Sequence, residues 1–202
     1  MTSAARIAGF DDIDVVTEIL VGAFFADPLW GPWSFPDHQQ RREQHRAMWR
    51  LFVEGALRYP WVRLTSGGEA TAVWIPPNGT ELTDEQSTCV EPLLVELLGE
   101  EATRPLEAFA MLDEMHPHGR PPHFHLSLLG TDPRWSGRGI GLGLLQENLR
   151  EIDALRMPAY LEASNRANVA LYERYGFRTL RSIQMPSGGP EVVTMWRDAA
   201  VS

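Results

Sequence analysis

The stretch DPRWSGRGIGLGLL (132–145) decides how this chain is interpreted, because four of its residues from 137 to 143 are glycines. The segment before it, FHLSLLGT (124–131), is mostly apolar and is predicted to be a central strand of a sheet. In the segment after it, apolar residues recur at helical spacing along one face. The sequence therefore predicts a buried strand, a glycine-rich turn and the start of a helix in direct succession.

A turn of this kind is suited to binding a phosphate group. Glycines let the backbone turn tightly and leave its N–H groups unobstructed, and the start of a helix adds unpaired donors and the positive end of the helix dipole. The Arg138 guanidinium could add a charge-assisted contact. The predicted phosphate-binding residues are Gly137, Arg138, Gly139, Ile140, Gly141 and Leu142. The alternative is a turn with a structural role only.

Two common phosphate sites are excluded by the residues present. Neither Gly137-x-Gly139 nor Gly139-x-Gly141 is followed three residues later by glycine or alanine, as a Rossmann turn requires. A Walker loop needs a lysine, and all 18 basic residues are arginine. The absence of lysine also excludes Schiff-base chemistry and a lysine general base. Coenzyme A remains as a common ligand with a pyrophosphate.

Composition bounds the class of protein. The 202 residues fit a single domain, predicted to span 1–202, and the net charge of −9 argues against binding to duplex nucleic acid. Cys89 is the only cysteine, so neither an internal disulfide nor a thiolate zinc cage is expected. The start, MTSAARIAGFDD (1–12), lacks a signal-peptide pattern, and no apolar run approaches membrane-spanning length. We therefore expect a cytoplasmic protein without a membrane partner.

The remaining segments alternate between strand-like and helix-like patterns. Strands are predicted at 5–10, 61–66, 71–76, 124–131, 159–164, 177–185 and 191–196, and helices at 11–24, 38–58, 83–115, 140–152 and 165–175. The acidic segment 83–115 is expected to be broken at Pro92 and Pro105. This order predicts one mixed α/β domain.

Two motifs together resemble the GNAT superfamily of acyl-CoA-dependent N-acetyltransferases. DPRWSGRGIGLGLL is similar to its pyrophosphate loop, Q/R-x-x-G-x-G/A, with Ser136 where Gln or Arg is usual. ASNRANVALYERYGF (163–177) is similar to its Asn…Leu-Tyr-Glu-x-x-Gly-Phe signature. The phrases AFFADP (23–28), TAVWIPP (71–77) and PAYLEAS (158–164) further resemble the puromycin N-acetyltransferase-like group. The resemblance implies a mostly antiparallel sheet flanked by helices, with a helical insert at 83–115 before the fourth strand.

The resemblance also implies acetyl-CoA as co-substrate and assigns residues to it. The backbone of Leu129, Gly130 and Thr131 would pair with the pantetheine arm like an added strand. The turn at 137–142 would cradle the pyrophosphate. Asn165 and Asn168 would hold the arm from the other side, although either could instead cap the following helix.

The implied reaction is direct attack of the primary amine of a small molecule on the thioester within a ternary complex. Tyr172 occupies the general-acid position of the family, with a core tyrosine as the alternative. Glu162 is the leading candidate for the base, since it lies two residues from Tyr160 on the same strand face and an apolar strand would raise its pKa. The alternatives for Glu162 are an ion pair with an arginine or substrate binding without proton transfer.

Histidines and tryptophans supply candidates for the acceptor side. The cluster His116, His118, His123 and His125 could bind zinc, but it lacks a clear third-ligand geometry, and no metal is expected. His125 is predicted to line the acceptor pocket and is a reserve base, with a structural role for these histidines as the alternative. Trp30, Trp33 and Trp74 are predicted to form an aromatic wall for a planar or cationic substrate, with ordinary packing as the alternative.

Other functions remain open from sequence alone. A peptide or protein N-terminal acetyltransferase would need an open groove, which the bulky segment 83–115 argues against. A non-catalytic acyl-CoA sensor would have no need of Tyr172. Apolar residues of the final hairpin (177–196), if exposed, could support a homodimer. The identity of the amine is not predicted.

Overall fold

A computed structural model describes residues 5–200 of the chain. Its strands and helices, numbered in chain order, are β1 (Ala5–Ile7), α1 (Ile13–Phe24), α2 (Arg41–Ala56), β2 (Val62–Thr65), β3 (Ala70–Ile75), α3 (Asp84–Leu98), α4 (Thr103–Met115), β4 (Phe124–Thr131), α5 (Ile140–Ala154), β5 (Ala159–Ala163), α6 (Val169–Glu173), β6 (Arg178–Gln184) and β7 (Glu191–Arg197). A π-helical turn at Leu29–Trp33 lies between α1 and α2. The predicted order of elements is confirmed.

The seven strands form one sheet in the order β1-β2-β3-β4-β5-β7-β6. Every neighbouring pair is antiparallel except β4 and β5, which are parallel. Strand β4 is therefore central, as its apolar sequence predicted, and the mixed, mostly antiparallel α/β fold is confirmed.

The parallel strands β4 and β5 are hydrogen-bonded to each other over only part of their length. Strands β4 and β5 are in register only from Phe124↔Ala159 to Leu126↔Leu161. Residues 128–131 of β4, beyond a register shift that skips Ser127, remain paired with β3 on their other edge. A cleft therefore opens in the middle of the sheet, with one edge of β4 facing it.

Helices cover both faces of the sheet and bury two separate apolar cores. On one face, α1, α2 and the insert cover a core that includes Leu20, Trp49 and Val73. On the other, α5 covers a core that includes Trp74 and Leu145. The cleft lies under the first of these faces, where α1 and the loop after it pack against β4.

The insert at 83–115 consists of two helices, as a broken segment predicts, but the break between them lies at neither of the two predicted prolines. Pro92 lies inside α3 without ending it, because the carbonyl it deprives of a partner belongs to the exposed Thr88 and can bond to water. The chain breaks at Gly99, which has a φ of +57°, a value that favours glycine. Pro105 lies in the first turn of α4, where no helical N–H partner is needed.

The surface of the final hairpin does not support the reason given for a homodimer. The exposed residues of β6 are polar, while Val192, Val193 and Trp196 of β7 are buried. The exposed apolar hairpin residues on which that prediction depended are therefore absent from the described chain.

No helix within residues 5–200 combines the length and apolar character needed to cross a bilayer.

Candidate active site

The glycine-rich turn adopts the backbone geometry that its sequence requires. Gly137 and Gly139 have φ of +75° and +73°, and Gly139 is the N-cap of α5 in the left-handed region. A side chain at either position would be strained, although a Cβ there would meet no atom within 4 Å. The space in front of the turn is therefore open, and the glycines are needed for conformation.

This turn presents six consecutive backbone donors. In the described structure no acceptor is bonded to the N–H groups of residues 137–142, and the first helical bond runs from the Gly143 N–H to the Gly139 carbonyl at 2.8 Å. These donors lie at the positive end of the α5 dipole. Unpaired N–H groups at a helix start form a site for a diphosphate, so the backbone fits the group that the sequence predicted.

The Arg138 side chain lies beside the turn. Its guanidinium carbon sits 4.7 Å from the centroid of the Trp135 ring. Both residues are exposed, and this stacking keeps one positive charge next to the six donors.

The open edge of β4 continues from the turn towards the middle of the sheet. Leu129 lines the cleft, and Gly130 and Thr131 follow it on the same unpaired edge. A Cβ at Gly130 would lie 3.1 Å from side-chain atoms of Leu20 and Ala23. Glycine at this position therefore allows α1 to pack closely against the strand that faces the cleft.

The cleft encloses about 220 Å³ between β4, β5 and α6. Its lining consists of Ala23, Phe24, Ala26, Asp27, Trp30, Leu126, Ser127, Leu129, Leu161, Glu162, Ala163, Ser164, Asn165, Asn168 and Tyr172. Burial, together with the nearby Asp27 carboxylate, raises the pKa of the Tyr172 hydroxyl to about 12. Tyr172 therefore keeps its proton at neutral pH.

The two asparagines in the cleft differ in what they bond to. Asn165 Oδ1 accepts the Ala167 N–H at 3.0 Å and so caps the short turn before α6. Asn168 is the N-cap of α6, but its side chain makes no capping bond. The capping alternative therefore describes Asn165, while the Asn168 amide is left available to the cleft.

A second, larger cavity of about 550 Å³ lies beside the cleft, between the sheet, α2 and α4. We call it the acceptor cavity. The two cavities share four lining residues, which are Trp30, Ser127, Glu162 and Ser164. We call this shared region the junction, because a group in one cavity meets a group in the other only there.

Two of the three tryptophans predicted for an aromatic wall are elsewhere. Trp30 lines both cavities. Trp33 lines neither, and instead packs against the final hairpin near Gly189. Trp74 is fully buried on the α5 side of the sheet, where its Nε1 donates to Asn148 Oδ1 at 3.0 Å. The prediction is therefore wrong for Trp33 and Trp74.

His125 and Glu162 form a buried pair at the junction, with Nε2 and Oε2 2.7 Å apart. Burial alone would lower the pKa of His125, but the Glu162 carboxylate outweighs it and raises that pKa to about 9. Burial would likewise raise the pKa of Glu162, but the charge and hydrogen bond of His125 lower it. The sequence predicted a raised pKa for Glu162, which is wrong because the prediction did not include His125.

Two other histidines of the cluster, His116 and His123, are partly buried. Burial lowers the pKa of His116 to about 4 and lowers that of His123. His123 Nδ1 donates to the Pro121 carbonyl, so its Nε2 accepts from His116 Nε2 at 3.3 Å. Within residues 5–200, no three His, Cys, Asp or Glu side chains are placed to hold a metal ion.

Two carboxylates at these cavities have no role in the sequence predictions. Asp27 accepts the backbone N–H groups of Leu29 and Trp30 and the Ser164 hydroxyl at 2.7 Å, and burial raises its pKa. Glu81 lines the acceptor cavity and accepts a hydrogen bond from the Ser127 hydroxyl. Asp27 lies in AFFADP (23–28), a segment that contributed only to the resemblance to the puromycin N-acetyltransferase-like group. Glu81 lies in a loop without a recognisable sequence pattern.

Comparison with known proteins finds similarity to acetyltransferases. Residues 111–196 match the family model described as "Acetyltransferase (GNAT) domain". Among curated proteins, the chain is 34% identical over 145 residues to mycothiol acetyltransferase of Kineococcus radiotolerans, covering 69% of this chain and 45% of that protein. It is 38% identical over 64 residues to the mycothiol acetyltransferase of Acidothermus cellulolyticus, covering 30% and 20% respectively. The chain thus spans less than half the length of either relative.

Solved structures show the same fold over nearly the whole chain. A structure described as histone acetyltransferase HPA2 and related acetyltransferase from Corynebacterium glutamicum has a TM-score of 0.70 and 24% identity, covering 100% of this chain and 99% of the other. The polyamine N-acetyltransferase of Drosophila melanogaster has a TM-score of 0.63 and 13% identity, covering 96% and 99%. The chain therefore shares the fold of these acetyltransferase structures, and its residues 111–196 match the GNAT domain model.

Proposed function

We propose that this protein transfers an acetyl group from acetyl-CoA to the primary amine of a small molecule, by direct attack in a ternary complex. The observation that carries this proposal is the junction, where a cleft fitted to a thioester co-substrate opens into a cavity with acidic and aromatic lining. The similarity to mycothiol acetyltransferases supports acetyl transfer as the reaction. The finer resemblance to the puromycin N-acetyltransferase-like group stays a prediction.

The residues proposed to hold acetyl-CoA act mainly through their backbone. The six N–H groups at 137–142 would bind the pyrophosphate, and Arg138 would add one charge. The unpaired edge of β4 at 129–131 would bind the pantetheine arm, with Asn168 on the opposite side of the cleft. Bound acetyl-CoA supplies the thioester carbonyl that the amine attacks.

The His125–Glu162 pair is proposed to take the proton that the amine must lose. A primary ammonium has a pKa near ~10 and cannot attack until it is neutral. Glu162 accepts the Nε2–H of His125, so a neutral His125 keeps a lone pair on Nδ1. A cationic amine entering beside the imidazolium lowers the pKa of His125 by repulsion and so favours that neutral form.

Tyr172 is proposed to stabilise the departing sulfur. With a pKa of about 12, the phenol holds its proton and can donate a hydrogen bond. A thiol has a pKa near ~8.5, so its thiolate is a weaker base than the Tyr172 phenolate. Tyr172 therefore acts chiefly as a hydrogen-bond donor to the developing thiolate, and the proton itself can come from the attacking amine.

The test is amine-stimulated release of free CoA. Purified protein is incubated with acetyl-CoA and a panel of small amines and short peptides, thiol release is followed colorimetrically, and products are identified by mass spectrometry. The proposal predicts N-acetylated small amines in stoichiometric yield with CoA. Turnover of peptides alone would indicate an N-terminal acetyltransferase, and CoA binding without turnover would indicate a sensor.

A further inference from the structure

The acceptor cavity has two chemically different ends. At one end the rings of Trp30 and Phe109 lie 4.8 Å apart, and Phe52 stacks on Phe109 at 5.2 Å with an interplanar angle of 12°. Trp49 contacts Trp30 edge-on at 5.6 Å. This end therefore offers flat apolar faces from the loop after α1, from α2 and from α4. The other end carries the histidines and carboxylates.

The carboxylates at the polar end differ in whether their charge is already balanced. Glu162 is paired with the His125 imidazolium. Asp113 has a side chain that is 85% exposed, beside His118 at the cavity mouth. Glu81 is partly buried and accepts only from the neutral Ser127 hydroxyl, with no ion pair to any described residue. Glu81 is therefore the carboxylate of this cavity that is shielded from water in part and has no ion-pair partner for its negative charge.

Glu81 is also placed close to the junction. Its hydrogen-bond donor, Ser127, lines both cavities. Its charge contributes to raising the pKa of His125, which lies in the pair with Glu162. Arg120 supplies a positive charge to the cavity lining, but its guanidinium lies over the Trp196 ring at 4.8 Å. A cation bound by Glu81 would lie next to the residues that handle its proton.

We propose that Glu81 binds the ammonium of the substrate and that the aromatic end selects a primary monoamine carrying a flat apolar group. This inference rests on the proposed function. A cavity of about 550 Å³ has room for a ring and a short chain. A second ammonium, as in a diamine, would have to lose its hydration against the apolar faces of the aromatic rings.

The probes are 2-phenylethylamine and 1,4-diaminobutane, compared by calorimetric binding in the presence of CoA and by kcat/KM with acetyl-CoA. We expect at least a tenfold preference for 2-phenylethylamine in both measurements. Glu81→Gln should weaken binding of 2-phenylethylamine about tenfold or more by raising KM, with kcat within about threefold. Glu85→Gln removes the same charge from an exposed position on α3 and should change neither.

The aromatic end is tested separately. Phe109→Leu keeps much of the volume and should reduce the preference for 2-phenylethylamine over ethylamine severalfold, with thermal unfolding as the check that the variant folds. A preference for the diamine, or binding unaffected by Glu81→Gln, would overturn the inference while leaving acetyl transfer intact. Binding of 2-phenylethylamine that depends on Glu81 but yields no acetylated product would support the inference and refute the proposed function.

Discussion

The two sides of the junction are built from different parts of the polypeptide. The side proposed for acetyl-CoA consists mainly of backbone N–H groups and an unpaired strand edge within one continuous stretch, 129–142. The acceptor side consists of side chains from the loop after α1, from α2, α4, β4 and β5, and from the loop after β3. A site made of backbone depends on conformation, whereas a site made of side chains depends on tertiary assembly. The two should therefore respond to different kinds of substitution.

The largest effect on kcat is expected at Tyr172, which is proposed to contact the reacting atoms. Tyr172→Phe removes the hydroxyl proposed to stabilise the thiolate, so kcat should fall on the order of 10³-fold while CoA affinity stays within about twofold. Steady-state kinetics and calorimetry measure the two quantities. Tyr175→Phe removes a hydroxyl three residues away, outside both cavities, and should leave kcat unchanged. Equal activity of the two variants would remove Tyr172 from the mechanism.

The second-largest effect on the rate is expected at Glu162, whose pair with His125 is proposed to take the proton from the amine. Glu162→Gln should lower the rate roughly 10²-fold and lower the pKa of His125 from about 9 to below ~6.5, since burial is then opposed only by the more weakly acting Glu81 carboxylate. NMR titration of the His125 ring measures this pKa directly. An unchanged His125 titration would show that the pair is not coupled.

The same pair has a signature in stability. The raised pKa of His125 contributes stability that is fully present below ~6.5 and is lost as pH rises through about 9. The lowered pKa of Glu162 contributes stability that is present above its ordinary value and is lost as pH falls. Denaturation of the native protein should therefore become progressively easier as pH rises from ~6.5 to about 9, and Glu162→Gln should flatten that dependence.

A smaller effect is expected from altering the backbone side. Gly139→Val forces a β-branched residue to a φ of +73° and should weaken CoA binding about tenfold by displacing the N–H groups. Gly188→Val is a matched control, because Gly188 has the same φ and equally open surroundings but lies in the β6–β7 turn. Both variants should lose similar stability, and only Gly139→Val should lose CoA affinity.

The fold and the backbone side of the junction could be predicted from sequence because their signals are local. The conformation of a glycine-rich turn before a helix is determined by residues that lie within a few positions of one another. The acceptor side could not be predicted in the same way. Ser127, the partner of Glu81, is 46 residues away, and His125, which sets the pKa of Glu162, is 37 residues away.

Trp74 shows a different limit of sequence patterns. All six residues of β3 are buried, so the strand carries no alternation that distinguishes its two faces. Val73 and Ile75 face the core beneath α1 and α2, whereas Trp74 faces the core under α5. Only the pairing with neighbouring strands decides which face receives the indole.

The smallest effect on activity is therefore expected from Trp74→Phe. It removes the donor to the buried Asn148 Oδ1 and should lower the free energy of unfolding by about 1–3 kcal/mol. The kcat/KM for an amine should stay within about twofold, because the indole lies on the opposite face of the sheet. Chemical denaturation and kinetics on the same preparation check both. A large loss of kcat/KM in a stably folded variant would indicate that Trp74 contributes to the acceptor side after all.

The loop after α1 has a consequence for how substrate preference can be changed. Asp27 caps the π-helical turn and bonds to Ser164 at the end of β5, while Trp30 of the same turn lines both cavities. Substitutions in this loop therefore disturb the donor and acceptor sites together. Phe109, Leu112 and Asp113 of α4 line only the acceptor cavity, so α4 is a segment where evolution or engineering can alter the accepted amine independently of the acyl donor.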